Sequence, residues 1–307
     1  MITVKIQGGL GNQMFQYAFA KALNKINKKE ICLNLSTFTS RENQKNNTYR
    51  YWQLDDFNLS QSLCRTFDQV SFWAVWLDKL KRRIKKDNTF CFNKKEFHVQ
   101  ESETKIGYWC SEKYFDIVKE EIRKDFTLKN KIENQENTLA KKYLDWINMS
   151  PISISINVRR GDYASDKSIN NYHGLLFSEY FKDGLQKVLE ILKFRDNNLN
   201  YQNIFIFVFS DDIEWCKKNL EFLNSPTDLK IIFMPPEISA SETLYLIGQC
   251  QHNIIANSTF SWWGAWLNLN KDKIVIRPQH WMAEKSLDTK DVCPASWIFI
   301  PNNFDLI

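Results

Sequence analysis

Short apolar runs alternate with longer amphipathic stretches along this chain, and the alternation predicts its elements. Ile2, Val4 and Ile6 share one face of a strand over residues 2–7. Gly8-Gly9-Leu10-Gly11 interrupts that period as a tight turn. A helix is then predicted from about Asn12 to Asn24, and a second strand over Ile31–Leu35. Residues 36–69 are polar and irregular in pattern, which reads as an insertion. In 70–86, Trp73, Trp76, Leu77, Leu80 and Ile84 recur at helical spacing, surrounded by Lys79, Lys81, Arg82, Arg83, Lys85 and Lys86. A polar, helix-favouring stretch over 129–148 ends at Met149-Ser150-Pro151. Pro151 marks the expected hinge between a domain of residues 1–150 and one of 151–307.

The second half is more regular. Apolar strands are predicted at Ile152–Val158, Ile204–Phe209, Lys230–Met234, Asn253–Asn257 and Lys273–Arg277. Helices are predicted near Ser178–Leu192, Asp212–Leu223, Ser239–Cys250 and Thr259–Leu269. Strands alternating with helices predict an α/β fold whose parallel sheet is covered on both faces. Ligands of such sheets bind outside the carboxyl ends of the strands, and the polar motifs of this chain fall there.

Composition narrows the function classes. With 307 residues, 43% of them apolar and 25% charged, the chain suits two folded domains. Forty-one basic against 36 acidic side chains leave a net charge of +5, with no continuous basic arm to track a nucleic acid. That balance suits a small anionic substrate. The seven cysteines are odd in number and scattered, with no CxxC pair, and read as free thiols of a reducing cytosol, with neither a disulfide framework nor a zinc site. The N-terminus lacks the apolar run of a signal peptide, and no apolar stretch reaches the roughly 20 residues of a bilayer span. The expected location is therefore cytoplasmic.

Four motifs carry chemistry. The Gly8–Gln13 turn opens a helix, where backbone N–H groups can approach a phosphate or a sugar; an ordinary tight turn is the plain alternative. A nicotinamide-cofactor reading fails, because Met14 stands where the third glycine of GxGxxG belongs and the second strand ends without an acid. Asn157-Val158-Arg159-Arg160-Gly161-Asp162-Tyr163 sends two arginines out of a buried strand end. A guanidinium grips pyrophosphate with paired hydrogen bonds and keeps its charge at any working pH. Ser210-Asp211-Asp212 offers carboxylates that can accept both N1–H and the exocyclic amine of guanine. Asp212 reads equally as a first-turn acid of the next helix. Asn257-Ser258-Thr259-Phe260 precedes a helical run and provides a seat for phosphate. Trp263 and Trp266 are expected to pack between sheet and helix.

Taken in order, Gly8 to Ala18, Val158 to Tyr163, Phe209 to Asp212 and Asn257 to Gly264 resemble the bacterial α-1,2-fucosyltransferases of glycosyltransferase family 11. The resemblance implies two Rossmann-like domains facing across a cleft (the GT-B fold), the first on the acceptor side and the second binding GDP-fucose. It also implies a metal-independent, cofactor-free, inverting transfer of L-fucose from GDP-β-L-fucose to the 2-hydroxyl of a galactose-terminated oligosaccharide, in a surface-glycan pathway. Arg159 would be the β-phosphate ligand and Arg160 its support. Asp211 or Asp212 would read guanine, with Ser210 beside them. Asn257, Ser258, Thr259 and Phe260 would seat the pyrophosphate, while Gly9, Gly11 and Asn12 would face the fucose and the acceptor. The family's usual histidine two residues before the first arginine is Asn157 here, which keeps hydrogen bonding to the donor and loses any ionisable role. Asp162 and His173 are the candidate bases, and a third possibility leaves proton removal to the departing diphosphate. A non-catalytic nucleotide- or glycan-binding protein of the same fold is the alternative class, and a third reading keeps the enzyme but changes the linkage or the nucleotide sugar. The basic 70–86 segment reads either as a core helix with a solvated face or as a peripheral contact with an anionic inner-membrane surface.

Overall fold

In the computed structural model the chain is described for residues 1–39, 50–69, 76, 80, 90–224 and 229–305. Of the basic 70–86 segment only Trp76 and Leu80 are among them, both helical and exposed; the rest of that reading lies outside the described residues. No helix among the described residues is long and apolar enough to cross a membrane.

Two compact units form. The first holds Met1–Lys129 together with Ser286–Pro294, and the second holds Asn130–Lys285 with Ala295–Ile307. The expected boundary at Pro151 is thus displaced, for a physical reason. The helix over Leu139–Met149 packs on the one over Ala240–Gln249, the Tyr245 hydroxyl donates to Glu133, and Gln135 Nε2 reaches Glu242 at 3.3 Å. Residues 130–150 therefore belong to the second core. The return of 286–294 to the first unit is fastened at Asp291, which accepts from the Phe92 N–H at 2.9 Å and from Lys113 Nζ at 2.5 Å.

In the first unit β1 (Ile2–Lys5), β2 (Ile31–Asn34), β3 (Cys64–Thr66) and β4 (Thr104–Lys105) form a wholly parallel sheet in the order β3-β2-β1-β4. Helix α1 (Leu10–Asn27) buries Met14, Phe15, Ala18, Phe19 and Ala22, and stops where Lys28 turns left-handed at φ 51°. It starts earlier and ends later than its apolar spacing predicts. Cys32 and Cys64 are directly opposed in register, with Cα atoms 4.4 Å apart, and are disulfide-bonded. The expectation of seven free thiols is corrected here: parallel pairing brings together two cysteines whose spacing along the chain carried no sign of it.

The second unit has a six-stranded parallel sheet of β5 (Ile152–Val158), β7 (Ile204–Ser210), β8 (Lys230–Phe233), β9 (His252–Ile254), β10 (Val275–Pro278) and β11 (Ile298–Ile300), ordered β11-β10-β9-β5-β7-β8. A small antiparallel pair, β6 (Leu175–Leu176) with β12 (Phe304–Asp305), lies outside it. Both units are α/β with parallel sheets, as the alternation predicts. One face of the second sheet, through Ile254 and Ile276, packs with the helix over Ser178–Arg195 at Gly184. The tryptophans of the helix over Thr259–Leu267 are buried and in ring contact with one another, in the packing role expected for Trp263 and Trp266.

Beneath α1 a buried ion pair joins Lys21 Nζ to Asp125, whose carboxylate also accepts from the Tyr17 hydroxyl at 2.7 Å. Both charged side chains are more than nine-tenths buried. Removing one partner leaves the other as an uncompensated buried charge. Asp125→Ala is expected to cost roughly 3–5 kcal/mol of stability, read as a lower urea midpoint at unchanged slope.

Candidate active site

The polar motifs of the second unit converge at the carboxyl ends of β5, β7 and β9, as a parallel sheet dictates. Where β5 ends at Val158 the chain turns, and Arg159 and Arg160 emerge before a short helix over Gly161–Ser165. The Arg159 guanidinium is held from two sides. Its Nη1 donates to Asp211 Oδ2 at 2.5 Å, at the end of β7, and its Nη2 donates to Asp162. Burial works against the Arg159 charge, but Asp211 and then Asp162 outweigh it and raise its pKa above the ordinary value. A guanidinium has five N–H donors, so one fixed by two carboxylates still has donors for a third anion. Gly161 is required by this clamp, since a Cβ there would lie 2.5 Å from Asp211 Oδ2.

Arg160 is fastened separately. Its backbone N–H donates to Asp211 Oδ1 at 2.8 Å, its Nε to Asp212 Oδ2 at 3.2 Å, and its guanidinium lies 4.1 Å from the Trp215 ring centroid. Asp212 also caps the helix over Ile213–Asn219, accepting from the Trp215 N–H at 3.0 Å, while its own N–H donates to Ser210 Oγ at 2.9 Å. Both Asp211 oxygens and both Asp212 oxygens are therefore committed to protein partners. Between the ends of β7 and β8 lies a pocket of about 500 Å³ lined by Ser210, Asp211, Asp212, Phe233, Met234 and Glu237, among others. Its size suits a small-molecule ligand, and apolar walls from Ile213, Phe233, Met234 and the two prolines face a polar side rich in carboxylates.

Ser258 caps the 259–267 helix, its Oγ accepting from the Phe260 N–H at 3.3 Å, and Thr259 and Phe260 stand half-buried at that helix start. Its first turn carries no acid, which leaves the positive end of the helix dipole without a counter-charge from its own side chains. Two predicted donor contacts sit elsewhere. Asn157 is buried within the sheet, where its Nδ2 donates to Ser155 Oγ at 3.1 Å and to the Ile254 carbonyl at 3.4 Å. Asn257 is buried too and donates to the carbonyls of His173 at 2.9 Å and Gly174 at 3.2 Å. Both side chains spend their donors on the scaffold beneath the site. His173 stacks on Tyr163 at 4.5 Å between ring centroids, and Tyr163 lies under Arg159. Burial pushes the His173 imidazole down to about 4; Asp162 pulls it up and Arg159 adds to the fall. It is neutral at neutral pH.

In the first unit Gly8 adopts φ 82°, a conformation that disfavours any other residue, and Gly9 is the N-cap of α1 with no side-chain hydrogen bond. The Asn12 N–H donates to the Gly9 carbonyl at 3.0 Å, and Gly11 lies in the first buried turn. Residues without an assigned role hold this turn. Buried Gln13 donates to the carbonyls of Gly8 at 3.0 Å and Tyr51 at 2.8 Å, and accepts from the Gln53 N–H at 3.0 Å. Gln16 accepts from the Gln7 N–H at 2.9 Å and donates to the Gly107 carbonyl at 3.0 Å. The legible signal was two amides among apolar neighbours on one helix face, spaced to be buried together.

The model of the glycosyl transferase family 11 matches residues 1–301, all but the last few residues of the chain. The chain belongs to this family. An alpha-1,2-colitosyltransferase of Escherichia coli is 33% identical, over 98% of this chain and 99% of its own length. The O-antigen biosynthesis glycosyltransferase WbnK, also of Escherichia coli, is 31% identical over 95% of this chain and 98% of its own. The galactoside alpha-(1,2)-fucosyltransferase 1 of Rattus norvegicus is 27% identical over 55% of this chain and 43% of its own. Among solved structures, fucosyltransferase NodZ from Bradyrhizobium aligns with 87% of this chain and 93% of its own at 14% identity and a TM-score of 0.47, too distant a likeness to argue from.

For this family 11 glycosyltransferase, Arg159→Ala is expected to remove detectable transfer and weaken nucleotide binding, with circular dichroism unchanged. Arg159→Lys is expected to recover little, because a point charge cannot bridge two carboxylates and an anion in one plane. Isothermal titration with GDP and a turnover assay on both variants check this.

Two histidines set an acid limit. His252, buried, accepts from the Ile274 N–H at 3.0 Å and is pushed by burial to about 4, as is His173. Between the unfolded value near 6.5 and the folded value near 4, the unfolded chain binds protons that the folded chain refuses. Stability is therefore full above about pH 6.5 and falls as pH drops, by about 2 kcal/mol for His252 at pH 5. Urea midpoints at pH 7 and pH 5 should show this loss, and His252→Asn should reduce it.

Proposed function

We propose that this glycosyltransferase moves L-fucose from GDP-β-L-fucose to the 2-hydroxyl of a terminal β-galactose with inversion, without a metal ion, in cytoplasmic assembly of a surface glycan. The observation that carries the reading is the Arg159 guanidinium, oriented by Asp162 and Asp211 at the sheet's carboxyl edge. Breaking the glycosidic bond of a nucleotide sugar builds negative charge on the β-phosphate, and a donor already aimed there stabilises that charge without reorganising. The start of the 259–267 helix, whose first turn carries no acid, supports the same diphosphate through its dipole. The pocket between β7 and β8 receives the nucleoside.

Proton removal is assigned away from a strong side-chain base. Asp162 is engaged with Arg159, and His173 is stacked on Tyr163 with a depressed basicity. Asp162 is thus read as a positioning carboxylate, and the departing diphosphate takes part in accepting the hydroxyl proton. A second reading keeps the linkage and changes the sugar. It is favoured by the 33% identity with the colitosyltransferase along nearly the whole chain. Colitose is fucose without its 3-hydroxyl, so the two donors differ by one polar group.

The test is transfer from GDP-fucose and from GDP-colitose, in EDTA, to a panel of β-galactosides, with NMR of the product. Faster turnover with GDP-fucose and an α-1,2 product is expected. A clear preference for GDP-colitose would install the second reading, and metal dependence would remove the metal-free mechanism. Tight GDP binding without transfer to any acceptor would favour the non-catalytic class.

A further inference from the structure

Four carboxylates line the pocket between β7 and β8: Asp211, Asp212, Glu214 and Glu237. Three are already committed. Asp211 holds Arg159 and the Arg160 N–H through its two oxygens. Asp212 caps its helix through one oxygen and takes Arg160 Nε on the other. Glu214 pairs with Lys217 at 2.7 Å. Glu237 differs. It follows β8 and Pro235-Pro236, is exposed, and makes neither a hydrogen bond nor an ion pair to any described residue.

We infer that Glu237 is the residue that selects guanine in this pocket, and that Asp211 and Asp212 instead position the two arginines. The inference rests on the GDP-sugar reading above. Guanine presents N1–H and an exocyclic amine side by side, a donor pair that one carboxylate accepts through both oxygens; adenine presents an acceptor at N1 and repels it. Each carboxylate oxygen can accept more than one donor, but a flat guanine edge set against both oxygens of Asp211 or Asp212 would compete with Arg159 or Arg160 for the same approach. Glu237 faces no such competition. Phe233, Met234 and Pro235 supply the apolar wall that a purine ring needs beside that carboxylate. The two prolines fix the φ angles of the segment leading to Glu237, so the side chain is presented from a stiffened backbone.

The experiment is isothermal titration of the full chain and of Glu237→Gln and Asp212→Asn with GDP, with inosine diphosphate, which lacks the exocyclic amine, and with ADP. Glu237 is exposed and has no partner among the described residues, so its variant is expected to keep the wild-type circular dichroism and urea midpoint. The wild type is expected to bind GDP about tenfold or more tightly than inosine diphosphate, the size of one hydrogen bond to a charged group. In Glu237→Gln that ratio is expected to fall close to one, whereas Asp212→Asn keeps it. Retention of the wild-type ratio in Glu237→Gln, or its collapse in Asp212→Asn instead, overturns the assignment while leaving the GDP-sugar reading standing. No preference for GDP over ADP in the wild type overturns both.

Discussion

The junction of β5 and β7 at the carboxyl edge of the second sheet depends on one clamp, the Arg159 guanidinium between Asp162 and Asp211. The clamp joins the end of β5 to the end of β7, and the two strands are paired in register along their whole length, Ile152 with Ile204 through Val158 with Ser210. Side chains leaving neighbouring strands one step beyond that register are forced together. The glycine at 161 then removes the one Cβ that would keep Asp211 away. A lysine in place of Arg159, or any side chain at 161, breaks the same geometry from opposite sides.

The scaffold below carries a hydrogen-bonded set of buried polar side chains within the sheet. Ser155 Oγ accepts from both Asn157 and Asn253, and Asn268 donates to Asn253 Oδ1 at 2.8 Å. This chain runs from β5 through β9 to the C-terminal end of the helix over Thr259–Leu267. Buried amides cost free energy unless paired, and once paired they admit few alternative arrangements. The helix start that is read as the phosphate seat and the strand that launches Arg159 are thereby held in one fixed relation. Asn257 adds a tie to the carbonyls of His173 and Gly174.

Much of this was legible in the amino-acid pattern. The apolar strands of the second half and their alternation with helices lead directly to a parallel sheet, and the motifs quoted at its strand ends do come together. What was not legible has physical causes. The fate of Asn157 and Asn257 depends on which way a strand residue points at a strand end, a matter of one residue of register. The pairing of Cys32 with Cys64 depends on which strands become neighbours. The boundary at Pro151 failed because a proline breaks a helix without deciding which core that helix joins; Glu133 and Tyr245 decided it. The carboxylates at 211 and 212 were recognised as chemistry, but their partners lie some fifty residues earlier and could not be assigned by spacing.

The charges at the clamp carry a consequence for an anionic ligand. Arg159 and Arg160 bring two formal positive charges, while Asp162, Asp211 and Asp212 bring three negative ones, so the cluster carries one negative charge in excess before any donor arrives. On the donor reading proposed above, these five side chains alone would give a diphosphate no net Coulomb attraction. The directed donors on that reading are the remaining guanidinium N–H groups, aimed by the carboxylates, together with the positive end of the 259–267 helix. Such donors act over hydrogen-bond distance, whereas the carboxylate background acts over a longer range. A nucleoside diphosphate product carries more negative charge than the nucleotide sugar it came from. The background thus disfavours the product relative to the donor, while the aimed N–H groups favour the charge growing on the nearest phosphate oxygen. On that reading an arginine clamped by acids, in place of a free cluster of arginines, would stabilise bond breaking without retaining what it releases.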